Sequence, residues 1–301
     1  MKLKFDLAAV VATEFGVGRE DGHHQEFVAM TVDADVQNAL REIARTTWTT
    51  MQANASTPEK YDPSEKHSSI EHLYLPLGDD MATSMSDLHE AVNLPLNADA
   101  LKDPATVFCY FARMVDKDGQ RLTALRRATH FKGSLKSRFI RIDTNALKLV
   151  HDRIFRLDQD FDLLIDSANI HILRPSSFEF AGKLQDVIME AVPDNIAIVQ
   201  RQLAFVDFSG IEIYAQKHPR AARYLASIRS QDQCKNVEKR ALKALCKRTG
   251  VKYSEVHGKL MIADDHVMGF LEVVDRRRYE VTLVKGSPER FKAASRQPIS
   301  G

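Results

Sequence analysis

Charge is segregated along this chain, and that segregation limits what it can fold into. Residues 1–119 carry 10 Lys+Arg against 20 Asp+Glu, whereas residues 120–301 carry 32 against 21, so a net charge of +1 hides halves near −10 and +11. Like charges gathered on one surface repel, so the basic half must pack on the acidic half, stay solvated, or meet a polyanion. Two segments hold most of the excess. Residues 217–252 contain 11 basic and 2 acidic side chains, and residues 120–156 contain 10 and 2.

In the first segment, "CKNVEKRALKALCKRTG" (234–250) reads as a helix over 234–249 with Lys235, Lys239, Lys243 and Lys247 four residues apart. Arg240 and Arg248 lie beside them, opposite a predicted buried stripe of Val237, Ala241, Leu242, Ala244 and Leu245. Like charges at that spacing weaken a helix by about 0.2–0.5 kcal/mol per pair, and within the helix Glu238 alone offsets them. The second segment centres on Arg126, Arg127, Lys132, Lys136, Arg138 and Arg141, with Phe131 and Phe139 interleaved. A phosphate backbone would quench both clusters, because neutralising phosphates releases counterions. An anionic membrane surface would need a bulkier apolar face than Ala, Val and Leu supply.

The pattern predicts an α+β chain with mixed or antiparallel sheets in two domains, an acidic α/β part over 1–119 and a basic part over 120–301. Strands are expected at 5–15 and 26–32, and Asp33 and Asp35 precede a helix carrying Val36, Leu40, Ile43 and Trp48. Residues 53–69 read as an exposed loop, "HLYLPL" and "ATVFCYFARMV" as strands, and 117–119 as a hairpin turn. Further on, "FDLLID" and "IHIL" flank a turn at "SAN". Helices are expected at 178–191, 194–208, 219–230 and 234–249, and strands at "KLMIAD" and "YEVTLV".

No run approaches the ~20 apolar residues of a membrane span, and Asp6 and Glu14 interrupt the apolar N-terminal stretch, so no signal peptide is expected. Three cysteines without a CxxC pair favour a reducing cytoplasm. Walker, GxGxxG and GxSxG patterns are missing, and no cofactor or metal is expected. His23, His24, His67 and His72 fit no metal spacing. Asp158, Asp160 and Asp162 fall on one face of a predicted strand, with Glu179 at the positive end of a helix; lacking a companion lysine or histidine, the group reads as structural. His257, Lys259 and Asp264 match the H-x-K-x4-D pattern of phospholipase-D-like enzymes, in which histidine attacks phosphorus and lysine steadies the charge. That alternative makes the chain a dimeric phosphodiesterase or nuclease; a purely structural adaptor is a third class.

Over residues 120–300 the chain resembles the KwaB component of the bacterial Kiwa anti-phage defence system. The shared features are the strand at Phe161 and Asp162, the short strand from Ile170 to Ile172, a helix opened by Phe178 and Glu179, and the closing run from Phe270 to Arg296. The chain departs from that pattern at "YEVTLVKGSPERF", where a serine-leucine-threonine stretch is expected. The resemblance implies a DNA-binding effector that works with a small membrane protein, KwaA, on the cytoplasmic face, and it makes the H-x-K-x4-D match incidental. Residues and resemblance together predict sequence-independent binding of duplex DNA through Lys235, Lys239, Arg240, Lys243, Lys247 and Arg248 and through Arg126, Arg127, Lys132, Lys136, Arg138 and Arg141, by a homodimer or larger homo-oligomer.

Overall fold

The computed structural model describes residues 2–21, 24–55, 57–101, 106–128, 139–143, 146–150, 155–284 and 287–293. It is α+β, and its contacts divide it into two compact units. The first comprises Met1–Tyr61 with Ser68–Gly182, and the second Asp62–His67 with Lys183–Gly301.

The first unit is built on an eight-stranded sheet in the order β2-β1-β5-β6-β9-β10-β4-β3. Its strands are β1 (Val10–Asp21), β2 (His24–Met30), β3 (Glu59–Lys60), β4 (Leu73–Pro76), β5 (Val107–Asp116), β6 (Arg121–Arg127), β9 (Leu163–Ile165) and β10 (Asn169–Ile172). Neighbours pair antiparallel except β3 with β4. A separate hairpin joins β7 (Phe139–Asp143) to β8 (Ala146–Val150). The turn at 117–119 joins β5 to β6 within the large sheet, so the expected boundary near residue 119 has the same unit on both sides.

Helix α1 (Ala34–Asn54) starts where Asp33 accepts a hydrogen bond from the Val36 amide, as an N-cap should. It buries Leu40, Ala44, Thr47 and Met51, an i, i+4, i+7, i+11 stripe. Thr47 Oγ1 accepts a 2.8 Å bond from the Phe161 amide, tying the helix to the turn before β9. At Gly16 an added Cβ would stand 2.2 Å from the Phe111 ring, so only glycine lets β1 lie against that side chain. The unit also contains helices α2 (Thr83–Glu90) and α3 (Pro175–Ala181).

Under α1, Trp48 meets the rings of His72 and His171 edge-on, at 5.6 and 5.2 Å. Asp166 closes the β9–β10 turn, accepting from the Ala168 and Asn169 amides, and its Oδ2 lies 3.1 Å from His171 Nε2. Burial alone would raise this carboxyl; the His171 contact and the Lys4 and Ala168 amides outweigh it and hold the pKa at about 2. A depressed pKa gives stability that is present above the ordinary value of 3.8 and lost as pH falls through about 2. Asp166→Ala should therefore cost about 3 kcal/mol at pH 7 and progressively less toward pH 2. Urea unfolding at pH 7 and pH 3 measures this, and equal penalties at the two pH values would contradict it.

The second unit is mainly helical: α4 (Leu184–Glu190), α5 (Val192–Gln202), α6 (Ser209–Ala215), α7 (Pro219–Ser230), α8 (Lys239–Thr249) and α9 (Val267–Val274). A three-stranded sheet runs β11 (Val206–Asp207), β13 (Lys259–Ile262), β12 (Tyr253–Val256). A two-stranded ribbon pairs β14 (Arg278–Val284) with β15 (Ser287–Lys292). Ala221, Ala222, Tyr224, Leu225 and Ile228 of α7 are all buried. The expected helix over 178–191 is broken at Lys183, whose φ of 46° is left-handed, and the one over 194–208 stops at Gln202 because the chain extends into β11.

Residues 53–69 depart furthest from the reading as an exposed loop. Tyr61, Asp62 and Pro63 are buried, and Tyr61 donates a 2.7 Å bond to Glu179 in the first unit. Asp62 belongs to a polar knot in the second unit around Arg277, which is fully buried. Arg277 reaches Asp275 Oδ2 at 2.5 Å, Asp62 Oδ2 at 3.1 Å, Ser64 Oγ at 2.7 Å and Glu65 at 3.4 Å. Ser227 Oγ lies 2.9 Å from Asp62.

Candidate nucleic-acid interface

Counted by compact unit, the charge asymmetry is smaller than the sequence halves suggest. The first unit holds 20 Lys+Arg against 25 Asp+Glu, and the second 22 against 16, a net of −5 and +6. The cluster around residue 126 therefore belongs to the acidic unit, and the lysine ladder to the basic one.

The ladder occupies less helix than its spacing predicts. Asp232 and Asn236 adopt left-handed φ values of 51° and 60°, so the chain turns there, and α8 starts only at Lys239 after the extended Glu238. Lys235 stands in that turn. The buried stripe is Leu242, Cys246 and Thr249, while Ala241 and Ala244, expected inside, are exposed. Gly250 ends the helix with φ 75°, a left-handed cap that favours glycine.

Glu255 on β12 relieves much of the repulsion. It accepts from Lys239 Nζ at 2.6 Å and from Lys243 Nζ at 2.7 Å. Its two lysines hold this carboxylate down to about 2, and Lys239 also donates to the Gly258 carbonyl at 2.7 Å. Helical periodicity does not reveal Glu255, which lies outside the helix and reaches the lysines only through the strand that follows. Lys235, Arg240, Lys247 and Arg248 are exposed, and among the described residues none of the four makes an ion pair. Arg240 and Lys247 are two helical turns apart, opposite the buried stripe, so both point to solvent.

The second predicted cluster is placed differently. Arg126 is mostly buried, with Nε 3.1 Å from Asp158 and Nη1 3.1 Å from Asp160 and 2.6 Å from Asp162. Arg174 closes the group, reaching Asp160 at 2.7 Å and Asp162 at 3.1 Å. Two guanidiniums holding three carboxylates form a structural knot, in keeping with the structural reading of the aspartates. They sit in the turn leading into β9 rather than on one strand face, because β9 begins only at Leu163. Glu179 falls in the last turn of α3, away from its positive end. Arg127 stacks on Phe180, its guanidinium carbon 3.8 Å from the ring centre. Lys132, Lys136 and Arg138 lie outside the described residues, as does Phe131. Arg141 is on β7 opposite Lys148, and Phe139 opens the same strand.

His257 occupies the β12–β13 turn with φ 50°, and both it and Lys259 are exposed. Asp264 opens the short turn before α9. Phosphoryl chemistry needs nucleophile and cation converging where water is excluded. An open hairpin tip supplies no such enclosure. Among the described residues, no group of three His, Cys, Asp or Glu is arranged to hold a metal, and no helix is long and apolar enough to cross a membrane.

A family profile described as "Kiwa protein KwaB-like" matches residues 111–283, more than half of the chain. No curated protein and no solved structure matches the chain. The matched span takes in the Arg126 knot, the ladder helix and all of β14 but its last residue.

Proposed function

We propose, from the premise that the chain belongs to the KwaB-like family of Kiwa proteins, that it serves anti-phage defence by holding duplex DNA, largely without regard to sequence, on the cationic face of its second unit. The observation that carries this reading is the set of four exposed cations, Lys235, Arg240, Lys247 and Arg248, which make no ion pair among the described residues, on a unit of net charge +6. Phosphate contact supplies affinity and counterion release while conveying no base identity. The effector acts with the membrane protein KwaA and as a homo-oligomer, so that several such faces engage one duplex.

Glu255 then sets how much of the ladder is available. With Lys239 and Lys243 held on its carboxylate, DNA must compete with it for both. Glu255→Gln should tighten duplex binding about 3- to 10-fold at low salt and steepen the salt dependence by one to two contacts, each worth about 0.9 in the log–log slope. A gel-shift titration of wild type and variant checks this. Absence of binding by the wild type would refute the reading, and a variant that binds more weakly would refute the competition.

A further inference from the structure

Beneath α1 the first unit buries two imidazoles, each with one nitrogen held and the other without a partner. His171 Nε2 lies 3.1 Å from Asp166 Oδ2, and His72 Nδ1 lies 3.2 Å from the Ala55 carbonyl just past the end of α1. Both oxygens only accept, since Asp166 is ionised above about pH 2, so in the neutral rings these two nitrogens carry the hydrogens. The bare lone pairs are then on His171 Nδ1 and His72 Nε2. Each of those atoms is buried and has no hydrogen-bond partner among the described residues. The residues themselves are 0% and 4% exposed. His171 is the register partner of Tyr74 on β4, and His72 stands two residues earlier, so the two rings share one face of the sheet, with centroids 6.1 Å apart. Trp48 lies against both.

A bare ring nitrogen can lie among apolar neighbours, but a second proton on His72 would make Nε2 a charged donor with nothing to accept it. Few groups could compensate. β10 brings His171, the β9–β10 turn brings Asp166 behind it, and β3 brings the Glu59 amide, which donates to the His72 carbonyl at 3.3 Å. α1 brings the Trp48 ring and the Ala55 and Met51 carbonyls, whose position at a helix C-terminus favours a cation. Burial prevails: it lowers the His72 pKa below 6.5, against those two carbonyls and with His171 and the chain's amino terminus on its side. We propose that His72, set against His171, is an acid-released latch seating the C-terminal half of α1 on the sheet. His72 favours the fold fully above pH 6.5, its value in the unfolded chain, and that contribution is lost as pH falls through the lower folded value. This window opens well above the one in which Asp166 takes its proton. The latch lies wholly in the first unit and does not rest on the DNA-binding reading.

Trp48 is the only tryptophan in the chain, so its fluorescence emission reports on the latch without a label. Emission and hydrogen exchange over residues 47–55, the latter corrected for the intrinsic pH dependence of exchange, test the inference on the full chain from pH 7.5 to 5. Between pH 6.5 and 5 the wild type should lose about 10-fold in protection over 47–55, the change that uptake of one proton supplies per pH unit. Trp48 emission should move to the red with the same midpoint. His72→Phe keeps a ring that cannot charge, and should hold both signals constant over that range. His72→Gln, which keeps a donor for the Ala55 carbonyl, should do the same and stands in if phenylalanine prevents folding. Wild type that keeps its protection and emission down to pH 5 would overturn the inference. A pH response retained by both variants would overturn it as well, because the titrating group would then lie elsewhere. Neither outcome bears on duplex binding by the second unit.

Discussion

Arg277→Ala is expected to unfold the second unit or leave it barely stable, at a cost of about 3–5 kcal/mol. That is a large share of the ~5–15 kcal/mol that holds a typical domain together. The cost arises less from lost attraction than from what stays behind. Asp275 and Asp62 are buried on either side of a guanidinium that is itself fully buried, and removing it strips both of a charge-assisted partner. Asp62 reaches this position through the segment 62–67, so the same substitution loosens that segment, which Ser227 and Arg223 also hold. Arg277→Lys keeps the charge but loses the planar fork, and should recover only part of the stability. Urea unfolding followed by circular dichroism measures both, and an unchanged midpoint for Arg277→Ala would refute the account.

Joint replacement of Lys235, Arg240, Lys247 and Arg248 by glutamine is the second large effect. Four phosphate contacts give a log–log salt slope near −3.6, worth on the order of 100-fold in affinity between 50 and 200 mM salt. The quadruple variant should lose at least that much at 50 mM salt, to the same extent on every duplex sequence, because phosphate contacts do not report bases. Its fold should be untouched, since all four side chains are exposed and carry no ion pair among the described residues. Replacing Lys239 and Lys243 instead should cost less, because Glu255 already holds both. Undiminished binding by the quadruple variant would exclude this face from the site.

What the sequence disclosed depended on how far apart the interacting residues lie. The β9–β10 hairpin was legible because apolar alternation flanks a short polar turn, and its register, Ile170 opposite Ile165, follows from that turn. The α1 cap was equally local, with Asp33 three residues before Val36. The start of α8 was not legible: Asp232 and Asn236 are residue types that tolerate left-handed backbone, but the helical spacing of the lysines runs straight through Asn236 and only the fold shows that the chain turns there. In the sequence Arg126 reads as an open cation. Its three aspartates lie 32 to 36 residues downstream and meet it only through the pairing of β6 with β9. Glu255 is 12 residues beyond Lys243, on a strand whose position relative to the helix no periodicity encodes. Buried Tyr61 and Asp62 were hidden within the most polar stretch of the chain, because tertiary partners rather than local hydropathy placed them inside.

The salt dependence of duplex binding by the wild-type chain decides whether phosphate contacts hold the DNA. Titrated from 50 to 300 mM salt with two duplexes of unrelated sequence, log affinity should fall with log salt at a slope of about −4 for both. A slope near zero, or a slope that the quadruple glutamine variant retains, would contradict it.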